Sequence, residues 1–216
     1  MTDHSHSDLA HQGDPGLDRL LFFSDGVFAI AITLLSIELH PPHDWDGSAG
    51  MLWREGWPML ASFALSFLVI GIFWNAHRRL FRQMVRFTQG VFFLNLLLLA
   101  GIALMPFATS LIWRPSQHGD GFLLYIGLVS MIGLTQGLTY AYAAFAADAM
   151  RPRLHWLRRL SLALTQALMP SVACGLSLAI TFAALGQGSI LLIIALAVVM
   201  AGLIGFMRHT GRRYPA

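Results

Sequence analysis

Asp25 is the residue that calls for an explanation. It lies in RLLFFSDGVFAIAITLLSIEL, residues 19–39, a stretch apolar enough to cross a bilayer that nevertheless opens with Ser24 and Asp25. A carboxylate at the centre of a membrane helix costs about 2.5–3.5 kcal/mol on insertion scales. Such a group must face protein, water or a partner. Three candidates lie near the same depth: His77 in FWNAHRRLF, Asn95 in FFLNLLLLAG, and Arg19 on the same helix. A hydrogen-bonded cluster of Arg19, Asp25, His77 and Asn95 would satisfy the acid. Two roles are open to it, a lock between helices or a gate latch and proton site, and the lock is the first reading.

The wheel position of Asp25 separates it from the rest of its helix. At 100° per residue, Ile30, Leu34 and Ile37 fall within about 60° of one another, whereas Asp25 lies roughly 140° from Ile30. If the Ile/Leu stripe faces a pathway, the acid faces its own subunit. Thr33 lies about 60° from Ile30 and can set a hydroxyl beside the stripe. An apolar stripe at this spacing is in most helices ordinary packing. The other spans supply no rival pathway, only isolated groups such as Thr135, Gln136, Thr165 and Gln166. Gly133 and Gly137 stand at the GxxxG spacing of close helix packing. Pro106 and Pro170 are candidates for helix kinks.

Other chemistry is thinly represented. His4, His6 and His11 sit in a polar N-terminal segment, where their spacing makes a poor metal site. HPPHDWD, residues 40–46, reads as a turn set by Pro41 and Pro42. There is no HExxH, GxSxG, P-loop or dinucleotide fingerprint. No catalytic set, cofactor site or metal site is expected, and the chain does not read as an enzyme. Cys174 is the single cysteine, so no intrachain disulfide can form.

The elements that must position these residues follow from composition. The chain has 216 residues, 56% hydrophobic and 12% charged, against about 25% charged in soluble domains. Most of it is expected to avoid water. All 14 basic residues are Arg, and a net charge of +3 concentrated beside apolar runs speaks for membrane anchoring, not nucleic acid. Crossing the hydrocarbon core takes about 20 apolar residues in a helix. Six stretches qualify: roughly 19–39, 56–76, 88–112, 121–147, 161–185 and 189–207. The expected fold is therefore all-α, a polytopic membrane protein of six transmembrane helices. Residues 1–16 form a flexible tail, 17–208 the helical domain and 209–216 a second tail. Twelve Arg fall on one side, among them Arg78, Arg79, Arg82, Arg86, Arg151 and Arg153; only Arg54 and Arg114 fall on the other. The positive-inside rule then puts both termini in the cytoplasm. The outer side carries Glu38, Asp44, Asp46, Glu55 and Asp120, which would draw cations to any pore mouth.

Arg19, three residues, then Phe23-Ser24-Asp25 and GVFAIAITLL resembles the RxxxFSD signature of the transmembrane protein 175 family of potassium channels, in its bacterial single-repeat form. The end of helix two and Asn95 in helix three fit the same pattern. The resemblance implies a homotetramer in the cell's inner membrane, surrounded by lipid, with four copies of helix one around the pore and K⁺ as the permeant ion. By position in the motif, Ile30 is implied as the main constriction, with Leu34 and Ile37 toward the outside and Thr33 at a selectivity position. Ala29 departs from relatives that carry Ser there. The chain has no TVGYG filter. The competing expectation is a proton-conducting or proton-coupled transporter that uses Asp25 and His77.

Overall fold

The computed structural model describes residues 14–42, 45–112 and 120–150, with 156–157, 159–165 and a few single positions beyond. Four helices carry the described fold: α1 Pro15–Leu34, α2 Ala49–Phe81, α3 Gln89–Ile112 and α4 Asp120–Ala141. A 3-10 turn, Leu35–Glu38, continues α1, and a π turn, Tyr142–Ala146, closes α4. All four are long and apolar enough to cross a membrane. Among the described residues the only β pairing is an isolated bridge between Met84 and Met150. The expected fifth and sixth spans lie largely outside the described residues, as do His4, His6, His11, Pro170 and Cys174.

The helix ends are set by local chemistry. Asp14 caps α1, its Oδ1 accepting from Gly16 N at 2.9 Å, and Pro15 opens the first turn, where a missing N–H costs nothing. The helix thus begins inside the segment expected as tail. The other carboxylate oxygen of Asp14 accepts from Phe87 N at 2.6 Å, tying the α2–α3 connection to the start of α1. The same connection is held to the end of α4: Val85 N donates to Ala149 O at 2.8 Å, and Arg86 Nη2 to Ala147 O at 2.7 Å.

α2 runs for 33 residues, or about 50 Å at 1.5 Å per residue. It overshoots both ends of the expected 56–76 span and the ~30 Å core. Ser48 caps it, accepting from Met51 N at 3.2 Å. Trp53 and Trp57, both exposed, lie tilted against each other near that end with ring centroids 5.1 Å apart. Paired indoles of this kind suit the membrane–water boundary.

One face of each helix meets in a common core. Phe28, Ala31 and Leu35 pack with Ile70 and Phe73 of α2 and with Leu98, Ile102 and Met105 of α3. Tyr125, Val129 and Ile132 close it from α4. α3 and α4 come very close: a Cβ on Gly101 would lie 2.6 Å from Ile132 Cγ1. Gly133 and Gly137 are both buried, and so is Pro106 within α3. Toward the end away from the Arg cluster, a polar layer crosses the core. Thr109 Oγ1 lies 2.8 Å from Ser66 Oγ, and Ser66 Oγ donates to Tyr125 OH at 3.2 Å.

Candidate functional site

The polar residues of the opening motif divide between two neighbours. Ser24, fully buried, donates its hydroxyl proton to Leu20 O at 2.7 Å, the bond a serine makes within its own helix. Its oxygen then accepts from Asn95 Nδ2 at 3.0 Å. This orients the amide, so Asn95 Oδ1 meets His77 Nε2 at 2.8 Å. A carbonyl oxygen only accepts, which puts a proton on Nε2. Nδ1 finds no partner among the described residues. The ring is stacked on Phe81 at 4.3 Å and tilted against Phe28 at 5.5 Å. Ser24, Asn95 and His77 are thus a buried chain joining α1, α3 and α2.

Asp25 takes a different partner. Trp74 Nε1 donates to Asp25 Oδ1 at 2.7 Å. The Arg78 guanidinium lies over the Trp74 ring, 4.7 Å from its centroid. The single cluster expected of Arg19, Asp25, His77 and Asn95 is therefore two arrangements, with Ser24 in the first and Asp25 in the second. The reason is angular. Adjacent residues on a helix point about 100° apart, so Ser24 and Asp25 cannot both face α3. Trp74 went unnoticed because indole reads as apolar. Its spacing held the clue, since Trp74, His77 and Arg78 stand at i, i+3 and i+4 on one face of α2.

Arg19 and Phe23 take no part in either arrangement. Both are exposed, and Arg19 has no ion pair or hydrogen bond among the described residues. They stand over a groove shared with Leu20, Phe87, Phe92 and Leu96.

The stripe lies on the open side of α1. Ile30 is 59% exposed, Leu34 39% and Ile37 72%, whereas Phe28, Ala31 and Leu35 on the opposite side are each 1% exposed. Thr33, also exposed, donates to Ile30 O at 2.9 Å, and Ser36 Oγ donates to Thr33 O at 2.7 Å. The Thr33 proton is committed to the backbone, so the hydroxyl offers outward only acceptor lone pairs. The chain therefore presents a row of large apolar side chains with one oxygen acceptor beside them, held in place from behind by the polar chain and by Asp25–Trp74. Among the described residues, no group of three or more His, Cys, Asp or Glu is arranged to hold a metal.

Known proteins resemble the chain in sequence and in fold. The profile of the family described as endosomal/lysosomal potassium channel TMEM175 matches residues 19–106. A Streptomyces collinus protein named as a potassium channel is 44% identical over 124 residues, 56% of this chain and 60% of that protein. The mouse protein named endosomal/lysosomal proton channel TMEM175 is 26% identical over 148 residues, 66% of this chain and 29% of that protein. The chain thus aligns with less than two thirds of the length of either relative. A crystal structure of a lysosomal potassium-selective channel TMEM175 homologue from Chamaesiphon minutus superposes with a TM-score of 0.62 at 25% identity, covering 91% of this chain and 99% of that one. The motif, the family profile over residues 19–106 and the shared fold all liken the chain to the TMEM175 family.

Proposed function

We propose that the chain is a potassium-permeable cation channel. In this reading it is a homotetramer in the inner membrane, with six helices per subunit and both termini in the cytoplasm. The observation that carries it is the contrast around α1, where Ile30, Leu34 and Ile37 are open while the polar anchors sit on the covered side. Relatives named as potassium channels support the same reading.

Four copies of Ile30 around one axis make a narrow apolar ring. A thin water column in such a ring has no hydrogen-bond partners and empties, which closes the path. Tilting or rotating α1 outward lets water return. K⁺ holds its hydration shell less tightly than Na⁺, so a barrier that strips water favours K⁺ without any carbonyl filter. Thr33 hydroxyl oxygens offer partial replacement for lost water. Leu34 and Ile37 extend the apolar lining outward. The Ser24–Asn95–His77 chain and the Asp25–Trp74 bond hold α1 at a fixed angle and so set the width of the ring. The mechanism calls for no cofactor; K⁺ is the permeant ion.

Proton conduction through Asp25 and His77 is the second reading. His77 Nδ1, without a partner among the described residues, and the name of the mouse relative favour it. Against it, Asp25 is joined to Trp74, whose indole N–H donates but does not accept a proton. Bi-ionic recordings on purified protein in planar bilayers test both. A reversal potential set by K⁺ and Na⁺ at equal pH supports the cation channel. A current that follows only the pH gradient, unchanged when K⁺ is replaced by an impermeant cation, overturns it.

A further inference from the structure

The charged residues at the start of α1 are sorted by face. Asp14 accepts from the N–H groups of Gly16 and Phe87, and with Asp18 it lines a hollow shared with Arg82. At 100° per residue these two acids lie roughly 160° and 120° from Ile30. Arg19 lies only about 20° from Ile30, and so does Phe23 between them. Both are exposed, and Arg19 has no ion pair or hydrogen bond among the described residues. Other guanidiniums at this end are engaged: Arg78 on the Trp74 ring, Arg79 with Asn75 O and Arg86 with Ala147 O. The open face of α1 thus runs from a free guanidinium through Phe23 to the Ile30, Leu34 and Ile37 stripe. Along the helix, Arg19 and Ile30 are about 16 Å apart at 1.5 Å per residue. The charge is one-ended, since no Arg or Lys follows Arg19 until Arg54.

We propose that Arg19 from each of four copies forms a positive ring at the Arg-rich mouth of the pore, which thins cations there and makes conduction one-sided. The proposal rests on the tetrameric channel reading, in which this face of α1 turns to the shared axis. A guanidinium stays charged at any physiological pH, so the ring is permanent. Neither Asp14 nor Asp18 cancels it, because both point away from the axis toward α2 and the connection after it. Four unit charges about 8 Å from the axis, in water at about 0.15 M salt, lower the local concentration of a monovalent cation roughly three- to fourfold; at about 1 M salt the same ring lowers it less than about 1.5-fold. K⁺ entering from this end is depleted before it reaches Ile30, whereas K⁺ entering from the other end meets the apolar ring first. Arg19 then governs direction, and the Ile30 ring governs whether the path is wet.

Recordings from excised inside-out patches of cells expressing the full chain, in symmetric KCl, test this. The quantity read is the ratio of currents at equal and opposite voltages. In about 0.15 M KCl, K⁺ entering the wild type from the Arg-rich end should carry roughly a third of the current that enters from the other end, and in about 1 M KCl the two should come within about 1.5-fold. Arg19→Gln should give nearly equal currents at both concentrations. Arg19→Lys, which keeps the charge, should keep the asymmetry, and Arg82→Gln, which removes a charge from the hollow behind α1, should leave it unchanged. Equal currents in the wild type at the lower salt overturn the proposal, as does an asymmetry that Arg19→Gln preserves or that Arg82→Gln abolishes equally. Should Arg19→Gln fail to fold, the wild-type salt series still decides, because an asymmetry unchanged between the two concentrations also overturns the ring. A K⁺ current that is symmetric removes the ring alone; no K⁺ current in the wild type removes the channel reading and the ring with it.

Discussion

Trp74 reaches across from α2 to α1 and donates its indole N–H to Asp25 Oδ1 at 2.7 Å, while Arg78 lies over a face of the same ring. The bond joins a carboxylate to a donor that cannot titrate. It goes with one rotation of α1: with Asp25 turned to α2, Ile30 is turned away from the chain's own core.

Removing either end of this bond should therefore weaken the fold. A hydrogen bond to a charged group contributes about 1.5–3 kcal/mol. Trp74→Phe keeps most of the ring and loses the donor, and thermal unfolding in detergent should report a loss in this range. Asp25→Ala leaves the indole without its acceptor and should lower the yield of assembled protein on size exclusion more than it changes ion preference. A stable assembly with altered preference would put Asp25 in the ion path.

Asn95→Leu removes both bonds of the buried chain at once and leaves Ser24 and His77 to the apolar core. Each unsatisfied buried group costs about 1–3 kcal/mol. The thermal unfolding midpoint should fall further than for Trp74→Phe. Asn95→Ser, too short to span 3.0 and 2.8 Å contacts together, should fall between the two.

Ile30→Asn should raise conductance or leak. In the proposed tetrameric pore the substitution wets the Ile30 ring and removes its apolar barrier to a water column. Ile30→Ala should raise it as well, by widening alone. Flux from potassium-loaded vesicles that is the same for wild type and both variants would remove Ile30 from the constriction.

Asp14 carries a pH prediction. The N–H groups of Phe87 and then Gly16 hold its carboxyl below the ordinary 3.8. A lowered pKa in the folded state means that the ionised form is the one stabilised by folding. Its contribution is fully present above about pH 4 and is lost as the pH falls through the folded value. Asp14→Asn should be less stable than the wild type at neutral pH, and the difference should shrink below about pH 4. Thermal midpoints of the two proteins measured across that range check both the size and the sign.

Much of this molecule was legible in the chain itself. Long apolar runs interrupted by Arg clusters marked the helices, because hydrocarbon leaves a helix as the economical way to satisfy its backbone. The Ile30, Leu34 and Ile37 stripe and its separation from Asp25 followed from 100° per residue alone. So did the presence of Ser24, Asp25, His77 and Asn95 in one layer, since helices running in alternate directions bring those positions to a common depth. Even the start of α1 was written in Asp14 and Pro15, although a polar run of His and Asp masked it.

Pairing within that layer was decided only by tertiary structure. Four polar groups at one depth admit several networks, and the choice depends on the rotation of each helix about its own axis. Packing sets that rotation: Phe28 and Ala31 must reach the core formed by Ile70, Leu98 and Val129, and once they do, Ser24 points at α3 and Asp25 at α2. Trp74 became the partner of the acid, and Arg19 was left at an apolar groove, for the same reason. The chain alone determines which residues share a depth and a face; the close packing of neighbouring helices determines which of them touch, because a rotation of a few tens of degrees exchanges one partner for another at no cost to the hydrophobic pattern.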